Sequence, residues 1–141
     1  MEKNIPVFHS LSKNLQKIHK KSCEEVSVIQ SSILYEISGL SKPSMQMVSV
    51  AVGMDITTFS RQVGTLEKKN LVLRTPLEED RRIYILSLTE QGREILDVMN
   101  NKIANEMEKA FAAMNDFERE TVIRSLHVLE EKLRDLVSEK E

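Results

Sequence analysis

The side chains able to do chemistry fall into two runs. Thr57, Thr58, Ser60, Arg61, Gln62 and Thr65 bring hydroxyl, guanidinium and amide groups into one short span. Such groups suit base edges in a major groove, where Arg addresses guanine and Gln adenine. Asp80-Arg81-Arg82 sets two guanidinium groups beside a carboxylate. That arrangement suits a phosphate, or a narrow minor groove whose potential attracts Arg. Each run also has a plainer reading, as a solvated helix face and as a charged hairpin tip. The residues show no nucleophile–base pair, no metal-ligand set and no Gly-rich phosphate loop, so no enzyme, cofactor or metal is expected.

The remaining reactive groups point the same way. His9, His19 and His127 are scattered, without carboxylate or Cys partners at ligand spacing. The single cysteine, Cys23, can form neither an internal disulfide nor a Cys-based zinc site. A reactive thiol needs nearby positive charge; Lys20 and Lys21 supply some, while Glu24 and Glu25 oppose it. Cys23 therefore reads as a small junction residue, with a redox-sensing thiol as the alternative. Met45, Met47 and Met54 read as core filler in preference to a ligand-lining set.

Composition sets the frame around these groups. The chain has 141 residues, 40% hydrophobic and 30% charged, with a net charge of −2, which fits one soluble domain. Its apolar stretches fall far short of the roughly 20 residues of a membrane helix. The N-terminal apolar patch is broken by Pro6 and His9, so it does not read as a secretory signal. A cytoplasmic protein without membrane contact is the expectation. The small net charge hides an asymmetry. Residues 1–22 carry five Lys against one acid, and residues 94–141 carry twelve acids against seven bases. In the middle, Arg61, Lys68, Lys69, Arg74, Arg81 and Arg82 bunch together. Local bunching governs attraction to phosphate, because charges interact only over about 8–10 Å in salt.

The elements that position these groups follow from periodicity. Phe8, Leu11, Leu15 and Ile18 predict a helix over about 7–21, and Val26, Ile29, Ile33 and Ile37 a second over about 27–38. Gly39 sits where a left-handed cap is expected. Ser44 reads as the cap of a short helix, Met45 to Val52, that ends at Gly53. Asp55 reads as the cap of the next, Ile56 to Lys69, with Phe59, Val63 and Leu66 inward and Asn70 closing it. A helix start exposes unsatisfied N–H groups that suit a phosphate. Residues 71–74 and 83–88 change period and predict a hairpin with a charged tip. Thr89 reads as the cap of a long helix striped by Ile95, Met99, Ile103, Met107 and Phe111. Asn115 with Glu118 resembles a capping box before a last helix carrying Val122, Leu126, Leu129, Leu133 and Leu136. The fold class is mainly α with a small β-hairpin wing: a winged helix-turn-helix flanked by N- and C-terminal helices.

The run from about Val26 to Glu94 resembles the MarR family of bacterial transcription regulators. The likeness lies in residues 48–63, in Leu66-Glu67-Lys68-Lys69-Asn70-Leu71-Val72, in Asp80-Arg81-Arg82 and in Leu88-Thr89-Glu90-Gln91-Gly92. The chain departs from the family pattern at Val50, Ala51, Ile56, Gln62, Gly64, Thr65 and Asn70. The resemblance implies one domain over 1–141, with residues 26–94 as a DNA-binding lobe and 1–25 and 95–141 as dimerisation helices. It gives Arg82 the groove role and Asp80 the task of positioning it. It further implies a homodimer on a palindromic operator in double-stranded DNA, acting as a repressor and released by a small-molecule effector. Two readings compete: a repressor sensing oxidants through Cys23, and a non-enzymatic protein–protein interaction module.

Overall fold

A computed structural model describes residues 2–138. A 3-10 turn, Glu2–Asn4, leads into α1 (Ile5–Ser22), followed by α2 (Val28–Gly39), α3 (Met45–Ala51) and α4 (Ile56–Lys68). Strands β1 (Val72–Pro76) and β2 (Tyr84–Leu88) come next, then α5 (Glu90–Ala112) and α6 (Asp116–Ser138). This is the element order the periodicities predict. The chain divides into two compact units, Met1–Ile103 and Ala104–Glu141.

Local chemistry sets the helix starts of the first unit. The Ser27 hydroxyl accepts from the Gln30 N–H while the Gln30 side chain accepts from the Ser27 N–H, a closed capping box. Ser44 accepts from the Met47 N–H, as expected of a cap. Thr89 accepts from the Gly92 N–H at 2.9 Å. Gly53 and Asn70 adopt left-handed φ values of 67° and 56°, which lets the chain turn between α3 and α4 and again before β1.

The core of this unit is continuous. Ile33, Leu34, Val48, Phe59, Val63 and Leu66 are fully buried, and Leu71, Val72 and Leu86 from the wing close over them. Burying side chains of this size stabilises by about 1.5–3 kcal/mol each before entropy is counted. The strands pair antiparallel with Val72 opposite Leu88 and Pro76 opposite Tyr84. The wing is fastened at its base. The Leu86 N–H donates to the Pro43 carbonyl at 2.9 Å, and Ser44 bridges to Ile85. The start of α5 is fastened too: the Thr89 N–H donates to Leu71 O and the Thr89 hydroxyl to Asn70 O. Gly92 lies so close to the Leu71 carbonyl that a Cβ would run into it.

Three expectations need correction. Ile29 is 51% exposed, and Leu34 takes its place in the core, because α2 carries more apolar positions than its neighbours cover. Gly39 is the last residue of α2 and not left-handed; the chain leaves extended at Leu40, and Lys42 takes the positive φ of 48°. Of the methionines, Met45 and Met54 pack on the core, but Met47 is exposed.

In the second unit the Asn115–Glu118 capping box is closed in both directions, at 2.9 and 3.0 Å. Arg119 reaches back to the Phe111 carbonyl and to Glu108. Leu126, Leu129, Leu133 and Leu136 line one side of α6 and are all exposed within this chain. In the first unit, Phe8, Leu11 and Leu15 of α1 are exposed as well.

Candidate nucleic-acid interface

The start of α4 is not a bare helix end. The Asp55 carboxylate accepts from the Thr58 N–H at 2.9 Å, and these contacts, with the Thr58 side chain foremost, hold its carboxyl below the usual range. A negative charge thus already occupies the place proposed for a phosphate. The cap is the one expected at Asp55, and it leaves the first turn less open to a phosphate than a bare helix start.

Phe59, Val63 and Leu66 turn one side of α4 into the core, so its opposite side faces out. Thr57, Thr58, Arg61 and Thr65 are exposed there, and Lys68 lies on the same side one turn further on. Ser60 and Gln62 are half-buried on the flanks. The Gln62 side-chain oxygen accepts from Gln30 Nε2 at 3.2 Å, which ties it to α2. Gly64 completes the outward side. It has no left-handed φ, and a Cβ built there would meet nothing within 4 Å. Glycine in a helix interior costs roughly 0.5–1 kcal/mol relative to alanine, so the fold itself has no use for it.

The wing tip is a self-organised clamp. Asp80 Oδ1 accepts from the Arg82 N–H and from Nε, and Oδ2 accepts from Nη2, all at 3.1 Å. The Arg82 side chain is nevertheless 91% exposed. The Arg82 side chain, more than any other group, lowers the Asp80 carboxyl from its usual range. Arg81 is exposed beside it.

Apart from Arg82, the basic bunch of the sequence separates into two kinds of residue. Arg74 pairs with Glu67 at 2.8 Å and lies over the Tyr84 ring. Lys69 donates to the Glu25 carbonyl at 2.7 Å. These two staple the lobe. Arg61, Lys68 and Arg81 make no ion pair among the described residues. Lys68, read from the sequence only as part of the basic bunch, lies on the same helix side as Arg61 and Thr57.

A second feature lies behind the lobe. A cavity of about 320 Å³ is lined by His19, Ser31, Tyr35, Glu36, Leu96 and Met99, among others. The Ser31 hydroxyl donates to the Val28 carbonyl, so its contact with His19 Nε2 at 2.8 Å requires the ring nitrogen to donate. Cys23 is half-buried at the core margin, next to Glu24, whose carboxylate pairs with Lys102. The described residues contain no His/Cys/Asp/Glu cluster fit for a metal, and no helix is long and apolar enough to cross a membrane.

Comparison with known proteins gives consistent results. The family model described as "MarR family" matches residues 26–84. The chain is 30% identical over 116 residues to the HTH-type transcriptional regulator SarZ of Staphylococcus aureus, covering 81% of this chain and 76% of that protein. It is also 30% identical over 97 residues to SarZ of Staphylococcus epidermidis, spanning 66% of that relative, just under two thirds of its length. Among solved structures, Streptococcus pneumoniae FabT in complex with DNA matches with a TM-score of 0.84 at 22% identity. That match covers 96% of this chain and 98% of the other. A MarR transcriptional regulator from Methanosarcina mazei Go1 matches with a TM-score of 0.82, also at 22% identity, covering 96% and 99%.

Proposed function

The chain belongs to the MarR family of transcription regulators, and we propose that it binds a palindromic operator in double-stranded DNA as a homodimer, acting as a repressor. In this reading residues 26–94 form the DNA-reading lobe, and residues 1–25 and 95–141 supply the dimer helices. The outward side of α4 enters a major groove with Thr57, Thr58, Arg61 and Thr65, flanked by Ser60 and Gln62. The wing carries Arg82 to the adjacent minor groove, with Asp80 restricting its rotamers and Arg81 at the phosphates.

The observation that carries this reading is the pairing of an uncompensated cationic helix face with a pre-set arginine on one lobe. Among the described residues Arg61, Lys68 and Arg81 make no ion pair, and Arg82 is held in place by Asp80 before any partner arrives. The exposed leucines of α6 support the dimer, since an uncovered stripe of this kind is what a two-fold interface buries. An effector in the cavity beside His19 would act by favouring one spacing of the two reading lobes. The competing interaction-module reading predicts weak dependence on salt.

The test is a selection of bound duplexes followed by titrations across salt concentration. Phosphate neutralisation gives a log–log slope of about −0.9 per contact. A flat salt response, or no selected sequence, sinks the DNA-binding reading.

A further inference from the structure

The outward side of α4 holds a residue that works against the helix it sits in. Gly64 is interior to α4, has no positive φ, and has open space where a side chain would be. Beyond its own helix backbone, no described atom lies within 4 Å of where its Cβ would be, unlike Gly92, whose missing Cβ is filled by the Leu71 carbonyl. A glycine that the fold does not need, on a face that meets a partner, leaves room for that partner's approach. Its neighbours on the helix surface, three residues before and four after, are Arg61 and Lys68. Both are exposed and make no ion pair among the described residues. The bare spot therefore lies between two unused positive charges.

We propose that Gly64 is where duplex DNA comes closest to α4, and that the approaching group is a backbone phosphate held between Arg61 and Lys68. This rests on the reading of α4 as the DNA-contacting helix, and adds which part of the duplex it admits and where. The missing side chain lets the strand reach the helix backbone, and the two cations neutralise what arrives. A methyl group at this position would hold the phosphate away from both.

Gly64→Ala tests it directly, because the substitution leaves the fold intact and strengthens the helix. The thermal midpoint should rise by about 2–5 °C. Affinity should nonetheless fall by about tenfold, on the selected operator and on unrelated duplex alike. The salt slope should fall by about one. Gly39→Ala, a glycine with equal space but away from α4, should bind as wild type does. Unchanged affinity of Gly64→Ala overturns the proposal. A loss confined to the operator overturns the phosphate assignment, since it would mean a base edge at this point. Wild-type protein that binds no duplex overturns the DNA-binding reading itself, an outcome distinct from either.

Discussion

Asp80 and Arg82 meet through three hydrogen bonds of 3.1 Å at the tip of the wing, although the Arg82 side chain is 91% exposed. An exposed pair of this kind adds little to folding. Its effect is to narrow the conformations Arg82 would otherwise lose on binding. Arg82→Ala should leave the thermal midpoint almost unaltered and weaken operator binding by about 1–3 kcal/mol. Asp80→Ala should give a smaller loss, as it removes positioning and keeps the contact. Equal affinity of Arg82→Ala and wild type at moderate salt would make the wing a bystander.

Asp55 gives α4 a pH-dependent start. Its carboxyl titrates below the usual carboxylate range in the folded chain, chiefly through the Thr58 side chain. The stabilisation it supplies is present above the unfolded carboxyl range and disappears as pH falls through the folded value. Asp55→Ala should therefore melt below wild type at neutral pH, and the gap should close on acidification. Melting curves at pH 7 and near pH 3 read this out; a gap that stays constant would show that the charge plays no part.

Gln62 sits between two roles. Its bond to the buried Gln30 amide predicts that Gln62→Ala destabilises by about 0.5–1.5 kcal/mol, because Gln30 loses a partner. A base-reading role predicts a changed operator preference instead. Repeating the duplex selection with the variant, alongside its melting curve, tells the two apart.

The leucines of α6 predict that Leu129→Asp combined with Leu133→Asp gives monomeric or unfolded protein without DNA binding. Sedimentation of wild type supplies the counter-test. A folded monomer at micromolar concentration would remove the dimer from the mechanism.

Features set by neighbours in sequence were legible from the residues. Ser44, Asp55, Thr89 and Asn115 cap the helices their spacing announced, since a cap needs only its own side chain and an N–H two or three residues on. The left-handed Asn70 was legible for the same reason. What escaped depends on distant partners. That Arg74 is committed to Glu67 and Tyr84, Lys69 to the Glu25 carbonyl, and Gln62 to Gln30 follows from packing, which no local pattern encodes. The cationic bunch is consequently larger in sequence than the set without an ion pair among the described residues, Arg61, Lys68 and Arg81. Ile29 was misplaced because α2 offers more apolar positions than its neighbours cover.

The fastening of the wing separates it into parts with different freedom to vary. Its base shares hydrogen bonds with the turn before α3 and with the start of α5, through Leu86, Pro43, Leu71 and Thr89. A substitution there disturbs several elements together. The tip beyond Pro76 is closed by its own bonds, Leu77 N–H to the Ile83 carbonyl and Ile83 N–H to the Asp80 carbonyl. Its length and charge can change with little cost to the core, as exposed loop tips generally allow. Residues 78–82 can thus be rewritten while the lobe that carries them stays the same.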